Sequence, residues 1–202
     1  MTNAIKNEGT PPLPGNSVAR RTLLKCAMGA ALCGGPLGLI AATDDPAKLP
    51  PQPGDVLVYP SWEEEDRVLL TEDLTPGAEP VLVYPRDPGS GVIRERSRLN
   101  QLLALRLEPA AMDLDTREQA TSSGVIVYSG ICTHAACGIT AWDAAQKYLI
   151  CPCHSSTFDA GRRGARVTGP ATRALPTLRI AESELGFVIT GPFSAPVGAS
   201  SL

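Results

Sequence analysis

Short apolar runs divided by Pro, Gly and charged residues recur from Val56 to the end of the chain. Residues 56–59, 68–70, 81–84, 102–107, 125–128, 148–150, 178–180 and 187–190 are rich in aliphatic and β-branched side chains. Runs of this length predict strands, because extended backbone accommodates branched side chains and Pro or Gly ends it. Closely spaced short strands with nineteen prolines and nineteen glycines predict an antiparallel all-β fold rather than one built on long helices. The acidic run at 63–66 and the mixed run Arg94-Glu95-Arg96-Ser97-Arg98 read as solvated loops.

The first 42 residues follow another pattern. Residues 3–17 are polar and Pro-rich, which predicts disorder. Ala19-Arg20-Arg21-Thr22-Leu23-Leu24-Lys25 then resembles the twin-arginine export signal, and an apolar, Gly-rich stretch runs to Ala42. Residues 22–42 are long enough to cross ~30 Å of hydrocarbon as a helix, although their glycines weaken one. The segment is therefore expected as a retained anchor, with cleavage as the alternative. Charge changes at the same boundary. Residues 1–42 carry four Lys/Arg and one acid, whereas residues 43–202 carry fourteen Lys/Arg and twenty acids, a net of −6. No basic stripe with aromatic neighbours occurs, so a nucleic-acid partner is not expected.

The chemistry is concentrated in two segments, Cys132-Thr133-His134-Ala135-Ala136-Cys137 and Cys151-Pro152-Cys153-His154-Ser155-Ser156. They contain both histidines of the protein and four of its six cysteines. One Cys-x-His and one Cys-x-x-His, with sixteen residues between His134 and Cys151, supply two thiolates and two imidazoles. That is the donor set of a [2Fe–2S] centre with two histidine ligands on one iron. Structural zinc is the rival reading. Zinc fingers, however, usually pair Cys with Cys and His with His, and zinc would leave Cys137 and Cys153 without a role.

CTHAAC followed by CPCHSS resembles the Rieske iron–sulfur family, in the branch with an extra cysteine in each loop, and the likeness extends over about residues 78–192. The resemblance implies one [2Fe–2S] cluster, with Cys132 and Cys151 on the inner iron and His134 and His154 on the outer iron, their rings at the tip. It implies a disulfide between Cys137 and Cys153. It also implies a Rieske-type antiparallel β-sandwich with a small cluster-binding subdomain at about residues 130–160, behind the N-terminal apolar signal or anchor helix. The expected division is 1–42 signal or anchor, 43–54 Pro-rich linker, 55–195 Rieske domain and 196–202 tail. Around the cluster, Ser156 matches a serine whose hydroxyl donates to a bridging sulfide. Phe158 stands where high-potential quinol-oxidising relatives carry a tyrosine, so a lower potential is expected. Gly169-Pro170-Ala171-Thr172 resembles the proline-rich loop that covers the cluster, with Thr172 in place of a usual proline.

These features lead to the expectation of a periplasm-facing electron-transfer protein with no catalytic residue of its own. The first reading is the iron–sulfur subunit of a quinol–cytochrome c reductase, working with a cytochrome b subunit and its quinol and passing electrons to a c-type cytochrome. The alternative is the small subunit of a molybdenum oxidoreductase similar to arsenite oxidase, partnered by a molybdopterin subunit. The ferredoxin component of an oxygenase is weaker, because such proteins normally lack the disulfide and an export signal. The expected location is the periplasmic side of a bacterial cytoplasmic membrane, or the soluble periplasm if the N-terminal segment is cleaved.

Overall fold

A computed structural model describes residues 44–64 and 66–199. The expected export signal and anchor fall outside them. Among the described residues no helix is long and apolar enough to cross a membrane. Among the described residues, ten strands, one short α-helix and four single 3₁₀ turns make up the regular structure. Six strands close into a barrel: β1 (Val56–Val58), β2 (Val81–Arg86), β3 (Leu102–Arg106), β4 (Val125–Ser129), β9 (Thr177–Ser183) and β10 (Gly186–Phe193), in the order β1-β10-β9-β4-β3-β2. The expected antiparallel all-β fold thus takes the form of a closed ring. Between β4 and β9 the chain makes a four-stranded antiparallel sheet from β5 (Ala141–Asp143), β6 (Tyr148–Ile150), β7 (Thr157–Asp159) and β8 (Ala165–Thr168).

The unbroken apolar runs on β3 and β4 have a physical reason. A strand facing solvent on one side alternates apolar with polar, whereas one buried on both sides does not. Leu102, Ala104, Val125 and Val127 face the barrel interior with Leu57, Val83, Phe187 and Ile189. Leu103, Leu105, Ile126 and Tyr128 face outward and are also buried, under the small sheet. Leu149 and Phe158, cross-strand partners on β6 and β7, press on this outer face. Cys132 and Cys151 belong to the same apolar cluster. The small sheet therefore sits on the barrel, and the cysteines stand at the edge of that contact.

β2 runs through Pro85, beyond the expected end at Tyr84. Pro85 lies opposite Leu57, whose carbonyl is turned away from β2 to accept from the Leu69 nitrogen. The Pro85 carbonyl likewise turns away from β1 and accepts from the Arg94 nitrogen. The absent proline N–H therefore removes no β1–β2 ladder bond. Residues 68–70, expected as a strand, contribute one isolated bridge, Val58 to Val68.

The mixed run 94–98 is not the uniformly exposed loop expected of it. Arg94 is buried, its Nε 2.7 Å and Nη2 3.0 Å from the two carboxylate oxygens of buried Asp55. Its third nitrogen donates to the Pro46 carbonyl, and Asn100 Nδ2 donates to the Leu49 carbonyl. Part of the Pro-rich segment before β1 is thereby held on the barrel. At the far end of the small sheet, α1 (Leu114–Gln119) is capped by Asp113, and its Thr116 hydroxyl accepts from the Arg163 nitrogen in the β7–β8 turn. Tyr128 donates to the Ala160 carbonyl at 2.7 Å. Together these bonds fix the sheet at the end opposite its cysteine-bearing loops.

Candidate metal centre

Two loops leave the ends of the barrel and the small sheet and fold by one scheme. The first connects β4 to β5, the second β6 to β7. In each, the nitrogen of the leading cysteine donates to the carbonyl five residues on: Cys132 to Cys137 at 2.8 Å, Cys151 to Ser156 at 2.9 Å. In each, the residue before that carbonyl takes a positive φ, 55° at Ala136 and 57° at Ser155. Five-residue closure curls the backbone N–H groups inward over the leading sulfur. The His134 nitrogen is 3.5 Å from Cys132 Sγ. Burial pushes the Cys151 thiol up, while the N–H groups of Cys153 and His154 act in the opposite direction.

Burial divides the four candidate ligands by type. Cys132 and Cys151 are free thiols, each 1% exposed. His134 is half-buried and His154 exposed. Their rings meet edge to face with centroids 4.8 Å apart. Cys137 and Cys153 form a disulfide that joins the first loop to the second. The sulfurs of Cys137, Cys151 and Cys153 lie within 4.8 Å of one another, but two of them are used in the bridge and offer no thiolate. Two thiols on an apolar floor, with two imidazoles on the solvent side of the same loops, fit an asymmetric iron pair with sulfur inward and nitrogen outward. Inward-aimed N–H groups suit it further, since they stabilise sulfur in its anionic form.

A third segment covers the second loop. Ser156 is fully buried, and its oxygen accepts from the Ala171 nitrogen at 3.1 Å. Gly169, at φ +87°, lies against the Ser156 backbone. Phe158 is fully buried in the apolar cluster that contains both free cysteines, and Pro170 is exposed at the rim.

Other tethers give no sequence signal. Thr133, buried between two of the candidate ligands, donates to the Arg173 carbonyl at 2.8 Å and links the first loop to the covering segment. Arg173 in turn donates to the Pro196 and Gly198 carbonyls, and Arg98 donates to the Ala136 carbonyl. Gly198 packs near Ile131, Ala136 and Leu99. Residues expected as a tail therefore brace the first loop. Only the long sequence separations of these contacts hide them from a local pattern.

This chain is similar to the cytochrome bc1 complex Rieske iron-sulfur subunit of Streptomyces coelicolor, 33% identical over 195 residues that cover 90% of this chain and 53% of that protein. It is similar also to a Haloferax mediterranei chain named as a candidate Rieske subunit of a respiratory nitrate reductase, 37% identical over 121 residues, 59% of this chain and 51% of that one. It thus spans about half the length of these curated relatives. Among solved structures, the soluble domain of Rieske protein II from Sulfolobus acidocaldarius matches with a TM-score of 0.41 and 19% identity, over 50% of this chain and 66% of that one. Residues 111–179, which bring together both Cys/His loops and the sheet between them, match the Rieske [2Fe-2S] domain family, and the chain is accordingly a Rieske iron–sulfur protein, of the family whose domain binds one [2Fe–2S] cluster.

Proposed function

We propose that this chain is the electron-transfer subunit of a larger respiratory oxidoreductase, with Cys132 and Cys151 on the inner iron of its cluster and His134 and His154 on the outer iron. The carrying observation is the pair of buried thiols set beneath a pair of histidine rings, 4.8 Å apart, on the outer side of the same two loops. When bound, the cluster supplies a one-electron couple, at roughly −150 to +300 mV for this ligand type. The protein's own residues do the rest. The apolar cluster under Cys132 and Cys151 keeps water from the sulfurs, the disulfide holds the two loops together, and exposed His154 lets a partner approach.

The finer reading is the iron–sulfur subunit of a quinol–cytochrome c reductase. It would take electrons from quinol beside a cytochrome b subunit and pass them to a c-type cytochrome on the periplasmic side of the membrane. Likeness to the Streptomyces coelicolor subunit supports this reading. In it residues 1–42 are the twin-arginine signal or anchor, 43–54 the linker, 55–195 the Rieske domain and 196–202 the tail. A second reading, the Rieske subunit of a molybdenum oxidoreductase, draws support from the Haloferax mediterranei relative, which is named for an oxidoreductase other than a bc1 complex.

Purification of the full chain from its native membranes tests both readings. Co-purification of b-type haem with quinol-dependent reduction of cytochrome c is the expected result, and a molybdopterin subunit in its place selects the second reading. A protein holding one zinc and no iron would overturn both.

A further inference from the structure

The loops that carry the candidate ligands, and the segments that cover them, hold no carboxylate. Residues 130–140, 151–156, 166–176 and 194–199 contain His134, His154, Arg166 and Arg173 and not one Asp or Glu. Residues 43–202 as a whole are acidic, with fourteen Lys/Arg against twenty Asp/Glu. The register of the small sheet shows how the acids are kept away. Ala141, Ile150, Thr157 and Thr168 form the row beside the loops, while Asp143, Tyr148, Asp159 and Ala165 form the row at the opposite end. Both carboxylates of the sheet therefore lie at the end remote from the histidines.

Arginine side chains reach the near end, that of Arg166 from the middle row, where it lies opposite Phe158. Arg98 and Arg166 are exposed, and each donates to a backbone carbonyl of this region: Arg98 to Ala136, and Arg166 to Gly169 at 3.2 Å. Among the described residues neither is within ion-pair distance of a carboxylate. A carbonyl holds a guanidinium in place but does not cancel its charge, and most of its five N–H donors remain for another molecule. Next to them in sequence stand Leu99 and Val167, 43% and 44% exposed.

We propose that the histidine end is a docking face for an acidic redox protein, one whose own cofactor edge is bordered by Asp and Glu side chains. Arg98 and Arg166 attract those carboxylates, and Leu99 and Val167 supply apolar contact. The inference rests on the electron-transfer role proposed above. The chain's net negative charge does not defeat it. At ~0.15 M salt the Debye length is about 8 Å, so charges at the contact decide attraction while those at the far end of the sheet are screened.

Small oxidants of opposite charge test the face in the cluster-loaded full chain. Hexacyanoferrate(III), a trianion, and tris(phenanthroline)cobalt(III), a trication, each take one electron from the reduced protein and leave as the iron(II) and cobalt(II) complexes. At ~0.1 M salt, Arg98→Gln/Arg166→Gln is expected to slow the anionic oxidant about three- to tenfold and to speed the cationic one. Thr172→Glu, which adds a carboxylate on the exposed covering loop without removing an arginine, is expected to do the same. A change in folding or potential moves both rates together, so opposite signs isolate charge. A second readout involves no turnover. Redox-inert hexacyanochromate(III) should raise the microwave power that half-saturates the reduced cluster's paramagnetic resonance, and should do so less in the double variant. Unchanged rates, or changes of one sign, would overturn the docking face and leave the electron-transfer role standing. A wild-type protein with no reduced-cluster signal would overturn the role itself.

Discussion

Gly169 lies so close to Ser156 that a Cβ on it would stand 2.4 Å from the Ser156 Cα and 2.7 Å from its nitrogen. The glycine is also at φ +87°, where a side chain is strained even with room to spare. This approach lets the Ala171 nitrogen reach Ser156 Oγ and seats the covering segment on the second loop. Gly169→Ala must push the two apart. The expected cost is about 2–4 kcal/mol in denaturant unfolding, with altered line shape in the reduced cluster's paramagnetic resonance. An unchanged denaturant midpoint would mean that the covering segment yields freely.

The disulfide makes a second mechanical claim. Cys137 and Cys153 are sixteen residues apart in sequence. Closing a loop of that size removes unfolded-chain entropy worth about 3 kcal/mol in the chain-entropy account. Cys137→Ser/Cys153→Ser should therefore lose about 2–4 kcal/mol and bleach its visible absorbance faster at a given temperature. Reductant should weaken the wild type in the same way and leave the double variant unaffected. Equal sensitivity of the two proteins to reductant would show that the bridge contributes nothing.

Asp113 links pH to the brace at the far end of the sheet. Hydrogen bonds from Thr116, its hydroxyl first and then its N–H, hold the Asp113 carboxyl below the ordinary value of 3.8. A carboxyl with a folded pKa below its unfolded one stabilises fully above the unfolded value, and that stability is lost as pH falls through the folded value. Asp113→Ala should cost about 1 kcal/mol at pH 7 as a lost helix cap. The gap between wild type and variant should narrow below pH 3.8, as urea midpoints at neutral and acid pH will show. A constant gap would mean that the carboxylate charge is not what matters.

The parts of the fold legible in the sequence are those whose burial leaves a contiguous mark. β3 and β4 are apolar on both faces, so residues 102–107 and 125–128 read as strands without knowledge of their neighbours, each within one residue of the observed Leu102–Arg106 and Val125–Ser129. β5, β7 and β8 are illegible. Trp142 and Phe158 are the lone large apolar residues of their three-residue strands, and only registration with Leu149 gives them a common face. Ring closure is illegible as well, because it rests on a short seam, Val56 opposite Val188 with backbone bonds joining Ile189 to Gly54 and Asp55. At the site, Cys132, His134, Cys151 and His154 stand out because scarce residue types recur at short spacing. Arg94, Arg98 and Thr133 do not, since their partners lie 39, 38 and 40 residues away. A charged run therefore reads as solvated whether its arginine is buried or not.

Ser156 and Phe158 bear on the potential. The Ser156 oxygen already accepts from the Ala171 nitrogen, so its proton remains to be donated elsewhere, from a side chain that is itself closed to water. Phe158 brings no donor to the apolar cluster it shares with Cys132 and Cys151. Reduction adds negative charge, and a donor near sulfur stabilises the reduced form. Ser156→Ala should therefore lower the midpoint potential, and Phe158→Tyr should raise it, both read by protein-film voltammetry. Unfolding free energy supplies a control for the second variant. A new hydroxyl that reaches a sulfur is satisfied and shifts the potential. One that reaches nothing is a buried orphan, which costs about 1–3 kcal/mol of stability and leaves the potential where it was. Lost stability with an unmoved potential would place the para position of residue 158 away from the metal ligands and remove this residue from the set that tunes the centre.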